Sequence, residues 1–155
     1  MIQRIQTLFQ LLACASMALL FIPELSFASV EGDTSSMEAA AQSMMADGVF
    51  NTYDHIILLL LVCLSILLIF INIFLYKNRG LQLTLNRIGM AAGIIIMILT
   101  AIFFYLDYQM MDNGVYAISI DYGILAPIAF ITLLALSARY ITKDEKLVRS
   151  MDRLR

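Results

Sequence analysis

Four runs of about 20 largely apolar residues (5–27, 56–76, 85–108 and 122–141) limit what this 155-residue chain can fold into. Each is long enough to cross a hydrocarbon core about 30 Å thick as a helix. With no water in that core, every backbone N–H and C=O must find its partner inside its own segment, which a helix provides. Ile56-Ile57-Leu58-Leu59-Leu60-Leu61 is apolar on all sides, so the alternation of a barrel strand is absent. The chain is 61% hydrophobic, with a mean hydropathy of +0.86, well beyond an ordinary soluble domain. The expected fold class is an all-α membrane protein. It is an antiparallel four-helix transmembrane bundle forming one domain over residues 1–155, with a short amphipathic C-terminal helix on residues 142–155.

Charge then orients the spans. If all four cross, every one of the ten Lys and Arg residues falls on one side: Arg4 before the first run, Lys77, Arg79 and Arg87 around the second turn, and Arg139 to Arg155 after or near the end of the fourth. The two other connecting segments contain no base. Loops rich in Lys and Arg stay cytoplasmic, so both termini are expected in the cytoplasm of a multi-pass inner-membrane protein. The net charge of −2 conceals +7 on that side, from ten bases and three acids, and −9 on the other, from nine acids. The basic charge meets anionic lipid headgroups, so no nucleic-acid partner is inferred.

The first run also reads as a secretory signal ending in the small-x-small sequence Ser26-Phe27-Ala28. Its apolar stretch exceeds the roughly 7–15 residues of a signal core. Gln3, Gln6 and Gln10 form a polar stripe at helical spacing, which suits a helix packed against others, so a retained first span is expected. In the first outer segment Ser35-Ser36-Met37-Glu38 is a capping box, with Gly48 as a stop, and suggests a short surface helix or an acidic loop. Asp112-Asn113-Gly114 signals a turn. Thr142-Lys143-Asp144-Glu145 is a second capping box, and Leu147, Met151 and Leu154 share one face of the expected tail helix.

Candidate functional residues are few. Gly89 and Gly93 form a GxxxG in the third run, a device for close helix approach within the bundle or in a homodimer. Gln6, Gln10, Asn72 and Asn86 fall toward the cytoplasmic half, where amides pair between helices. Glu24, Asp54, His55, Asp107 and Asp121 form a weak outer polar cluster. Each lies at a span end, where headgroup water is at hand, and no charge falls at the centre of a span. Pro127 is expected to kink the fourth span. Cys14 and Cys63 have neither disulfide nor zinc spacing and read as small apolar groups. No catalytic residue, metal ligand or cofactor is inferred.

The start Met1-Ile2-Gln3-Arg4-Ile5-Gln6-Thr7-Leu8, the end Lys143-Asp144-Glu145-Lys146-Leu147-Val148-Arg149-Ser150 with Asp152-Arg153-Leu154-Arg155, and Phe21-Ile22-Pro23 carry a resemblance. They resemble a family of small four-span membrane proteins of unknown function from Bacteroidota. The resemblance implies a retained first span and a place in the cytoplasmic membrane, and it implies no activity. The expectation is a small interaction, assembly or regulatory protein rather than an enzyme. Its tail bases Lys143, Lys146, Arg149, Arg153 and Arg155 would face membrane lipids, a protein partner or a second copy. The alternative is a minor transporter or channel subunit that uses the outer acidic cluster and a kinked fourth span.

Overall fold

The computed structural model describes residues 3–31, 48–75, 78–110 and 117–152, with the backbone alone at 3, 4, 31, 145 and 147–152. Four helices dominate it: α1 (Gln3–Ala18), α2 (Ile56–Phe74), α3 (Arg79–Met110) and α4 (Leu125–Asp152). A short 3-10 turn, Leu19–Phe21, extends α1, and another, Tyr122–Ile124, leads into α4. α1 packs on α2 and α4, and α3 packs on the same two, so the helices close a ring in chain order. Neighbours run antiparallel: side chains near the start of α1, the end of α2, the start of α3 and the middle of α4 meet at one level.

Three helices are long and apolar enough to cross a membrane: Ile56–Phe74, Arg79–Met110 and Tyr122–Asp144. The first apolar helix, Ile5–Phe21, is shorter than its sequence run suggests. The chain turns at Pro23 and Glu24, and Phe27 leaves the helical path to pack beneath a sheet. Conversely α3 begins at Arg79, six residues before the expected start at Leu85, and thereby takes Gln82 into the interior. Its 32 residues measure about 48 Å, more than the hydrocarbon thickness.

A small three-stranded antiparallel sheet revises the all-α expectation. β1 (Ala28–Glu31) lies centrally between β2 (Val49–Phe50) and β3 (Ala117–Ile120). Ala28 pairs with both Phe50 and Ile120. Gly48, at φ 73°, turns the chain into β2 through the left-handed region that glycine enters without a Cβ penalty. Ser26, Phe27 and Ala28, which read as a cleavage site in the sequence, are buried here. The expected surface helix on residues 35–48 and the turn at 112–114 fall, but for Gly48, outside the described residues.

α4 also departs from expectation. It continues unbroken to Asp152, so the tail extends the fourth helix and does not start anew as a separate one. Thr142 is not a cap, because its Oγ1 donates to the Ala138 carbonyl 2.9 Å away inside the helix. The expected apolar tail face of Leu147, Met151 and Leu154 lies outside the described side chains. Pro127 does not kink the helix. It sits in the first turn of α4, where a missing N–H has little to lose and the ring favours the helical φ.

A Cβ on Gly89 would meet Ile69 of α2 at 2.6 Å and Leu134 of α4 at 2.9 Å, and one on Gly93 would meet Ile131 at 2.8 Å. Both therefore face neighbouring helices of the same chain. Around them Ala13, Met17, Val62, Ile96, Phe130 and Leu134 form a fully buried apolar core.

Candidate functional site

Polar side chains enter the interior at both ends of this core. At one end they come from all four helices. α1 supplies Gln6 and Gln10, and α3 supplies Gln82 and Asn86, each pair one turn apart and so on one face. α2 supplies Asn72, and α4 supplies Ser137 and Asp144. Asn86 is the hub. Its Oδ1 accepts from Gln10 Nε2 at 3.2 Å and from Asn72 Nδ2 at 2.9 Å, while its Nδ2 donates to Ser137 Oγ at 3.1 Å. Asn72 Nδ2 also reaches the Gln82 carbonyl at 3.2 Å, and Gln82 Nε2 makes a long 3.5 Å contact to Gln10 Oε1. Gln6 Nε2 donates to the Asp144 carboxylate at 2.6 Å.

This layer joins helices without titrating amides. Each interhelical bond of this kind contributes roughly 0.6–2 kcal/mol in an apolar surround. Asn72 faces two acceptors through one amide end, so its Nδ2 must point at them and its buried Oδ1 is left without a partner. Of the four amides singled out in the sequence, Gln10, Asn72 and Asn86 join one network and Gln6 is buried beside it on Asp144. Gln82, Ser137 and Asp144 are additions that sequence reasoning missed. Gln82 had a signal, one turn before Asn86. Ser137 and Asp144 had none, and Asp144 read as a capping acid on the cytoplasmic face.

At the other end the five expected outer residues do not form one cluster. His55 Nε2 lies 2.8 Å from Asp107 Oδ2. With the carboxylate ionised, the imidazole N–H is the donor. The ring stacks on Phe103 with centroids 4.2 Å apart and lies 5.9 Å from Phe50. Asp107 is only 4% exposed, so it does not rest in headgroup water as its position in the sequence implied. The reason is the sheet, whose Phe27 and Phe50 are buried against this end of the helices. Asp54 instead accepts from the Asn51 backbone N–H at 2.5 Å and holds a local turn, while Asp121 accepts from Ser26 Oγ at 2.7 Å and ties together segments 95 residues apart. Glu24 is exposed. Among the described residues no three His, Cys, Asp or Glu are placed to hold a metal ion. Cys14 and Cys63 are free, Cys14 half-buried and Cys63 on the exposed side of α2.

The sheet also roofs an apolar cavity of about 270 Å³ between β1, β3, α3 and α4, lined by Phe27, Phe50, Phe104, Ile120 and Pro127 among others. Its one hydroxyl, on Thr100, donates to the Ile96 carbonyl at 2.8 Å. None of the network amides lines this cavity. The apolar core of Met17, Val62, Ile96 and Phe130 separates the inner layer from the His55–Asp107 pair.

No curated protein and no solved structure is significantly similar to this chain. A family model described as a domain of unknown function, DUF4293, matches residues 2–154. Nearly the whole chain is thus that one domain, and the protein belongs to the DUF4293 family.

Proposed function

We propose that this protein is a four-span protein of the cytoplasmic membrane, with both termini inside, that acts as an interaction or assembly component and not as an enzyme or a carrier. The observation that carries this reading is the sealed interior. The inner amide layer and the outer ion pair are divided by side chains that are fully buried and apolar, and within the layer Asn86 accepts from both Gln10 and Asn72. A solute or proton path needs a chain of polar groups between those two ends, and the buried hydroxyls there, on Ser16, Ser65 and Thr100, each donate to a carbonyl of their own helix instead of to one another.

Two further features support it. The outward faces of the helices are apolar, with Leu60, Leu64, Leu67 and Ile71 on α2 and Ile94, Ile95, Ile98 and Ile102 on α3 all exposed. Surface of that extent is a liability in water and the ordinary state in lipid. α1 with its 3-10 extension, a largely apolar helix of 17 residues from Ile5 to Phe21, reaches the lower limit of a span. The second feature is α4, which runs eight residues past Asp144 and so extends roughly 12 Å beyond the Gln6 latch. A partner-facing element belongs there.

Two measurements test the reading. A reporter active only outside the membrane, fused after Arg155, stays silent if both termini are inside, and activity overturns the topology. Purified protein in liposomes leaves proton leak at the level of empty liposomes. Flux above that level would favour the carrier alternative.

A further inference from the structure

The outside of the helices is apolar except where α3 and α4 approach their cytoplasmic ends. There a groove of about 390 Å³ runs between them. Leu83, Arg87 and Met90, at i, i+4 and i+7, present one face of α3, and α4 answers with Arg139, Lys143 and Lys146, again at i, i+4 and i+7. Four cations therefore share one groove, and among the described residues none that lines it is acidic. The neighbouring acid Asp144 is turned the other way, into the interior, where Gln6 holds it at 2.6 Å. Among the described residues none of the four cations is in an ion pair.

Register sets the order of groups along the groove. In the antiparallel register set by the Asn86–Ser137 bond, the Arg87 and Arg139 backbones are offset by about 4.5 Å along the groove, and because each Cα–Cβ bond tilts toward its own helix N-terminus the two side chains lean toward each other from opposite walls. Lys143 and Lys146 follow at about 6 and 10 Å farther toward the helix end, and Met90 lies one turn inward of Arg87. Apolar surface, then paired guanidiniums, then ammonium groups is the polarity profile of a phospholipid from its glycerol ester outward. Guanidinium groups pair phosphate oxygens two at a time, and basic pockets between spans suit anionic headgroups.

We propose that this groove seats the phosphate headgroup of an anionic phospholipid of the cytoplasmic leaflet. The assignment rests on the membrane reading above. It commits to a lipid and not to free phosphate because Leu83 and Met90 offer apolar surface that inorganic phosphate cannot use.

The experiment uses the full chain in nanodiscs of phosphatidylcholine with and without phosphatidylglycerol, with co-purifying lipid counted by native mass spectrometry after detergent release. The expected result is enrichment of phosphatidylglycerol over phosphatidylcholine. In the R87Q/R139Q variant that preference should fall by roughly thirtyfold, from about two surface charges' worth of attraction, and R87K/R139K should recover part of it. All four cations are exposed, so these variants leave the buried core intact, and K143Q/K146Q gives an independent second pair. Equal retention of both lipids by the wild type, or a preference unchanged in both double variants, overturns the site. Displacement of bound lipid by inorganic phosphate alone overturns the choice of lipid. Failure of the wild type to enter the membrane fraction overturns the membrane reading instead, so the two failures are distinguishable.

Discussion

The two ends of the helical body solve the same problem with different bonds. At the inner end side chains do the joining: Asn86 ties α3 to α1, α2 and α4 through Gln10, Asn72 and Ser137. At the outer end the backbone does it. β1 pairs with β2 and β3, the Phe27 N–H donates to the Phe50 carbonyl at 2.9 Å, and the Asp121 N–H donates to the Phe27 carbonyl at 3.1 Å. Helices satisfy their own backbones, so only side chains are left to link them. Extended segments have backbone groups to spare, and they bring connections far apart in sequence onto one sheet. The inner end should therefore be sensitive to single side chains, and the outer end to anything that displaces the chain itself.

Gly123 offers the largest test of that contrast. Its N–H donates to the Ser26 carbonyl at 2.8 Å, and a Cβ there would collide with that same backbone oxygen and approach the Leu25 carbonyl at 2.8 Å. Neither atom is the end of a flexible side chain. Gly123→Ala should cost about 3 kcal/mol, as an overpacked site does, and lower the unfolding midpoint in detergent more than any single change in the inner layer. A shift no larger than that of a surface alanine would show that the sheet yields easily.

Asn86→Leu comes next. It keeps the branched shape and the number of side-chain heavy atoms but leaves Gln10 Nε2, Asn72 Nδ2 and Ser137 Oγ short of a partner, a loss of about 2 kcal/mol. A double-mutant cycle with Asn72→Leu checks the cause: the two losses should fall well short of adding, because they share one bond. Strict additivity would mean that the amides do not act as a network.

Asp107→Asn should be milder, about 1 kcal/mol, because the amide oxygen still accepts from His55 while the charge-assisted part of the bond is lost. The aromatic environment of His55 gives a second readout, since its ring resonances should remain shifted by Phe103 stacked 4.2 Å away. Loss of that shift would mean that the carboxylate, and not the stack, positions the ring.

Gln82→Met is the smallest expected effect, below about 0.5 kcal/mol. Its side-chain contact to Gln10 is 3.5 Å long, and its backbone carbonyl, which serves Asn72, is kept. A cost equal to that of Asn86→Leu would place Gln82 at the centre of the layer.

Much of the inner end could be read from the chain. Gln6 and Gln10 sit one turn apart, and with Asn72 and Asn86 they are amides in apolar runs that lipid would penalise, so they had to meet. The glycines at 89 and 93 had to face helices for the same kind of reason. The outer end was far less legible. Strands of two and four residues carry no usable alternation, and β1 finds β3 about 90 residues away in sequence, from Ala28 to Ile120. Thr142-Lys143-Asp144-Glu145 misled in the opposite sense, because a capping sequence does not end a helix when the preceding turn continues and the hydroxyl bonds back to it.

The sequence by itself therefore determined the apolar helices, their alternating direction, the gathering of bases at one end of them and the inward-facing amides and glycines. Each follows from local periodicity, or from the cost of exposing a polar group to an apolar surround. Tertiary structure alone decided that Asp107 is buried beside His55, that Asp144 turns inward to Gln6 while Lys143 and Lys146 face a groove, and that Gly123 meets the backbone at Ser26. Those outcomes depend on which surfaces close over which residues. That is settled by packing between segments far apart in the chain, where no local pattern records it.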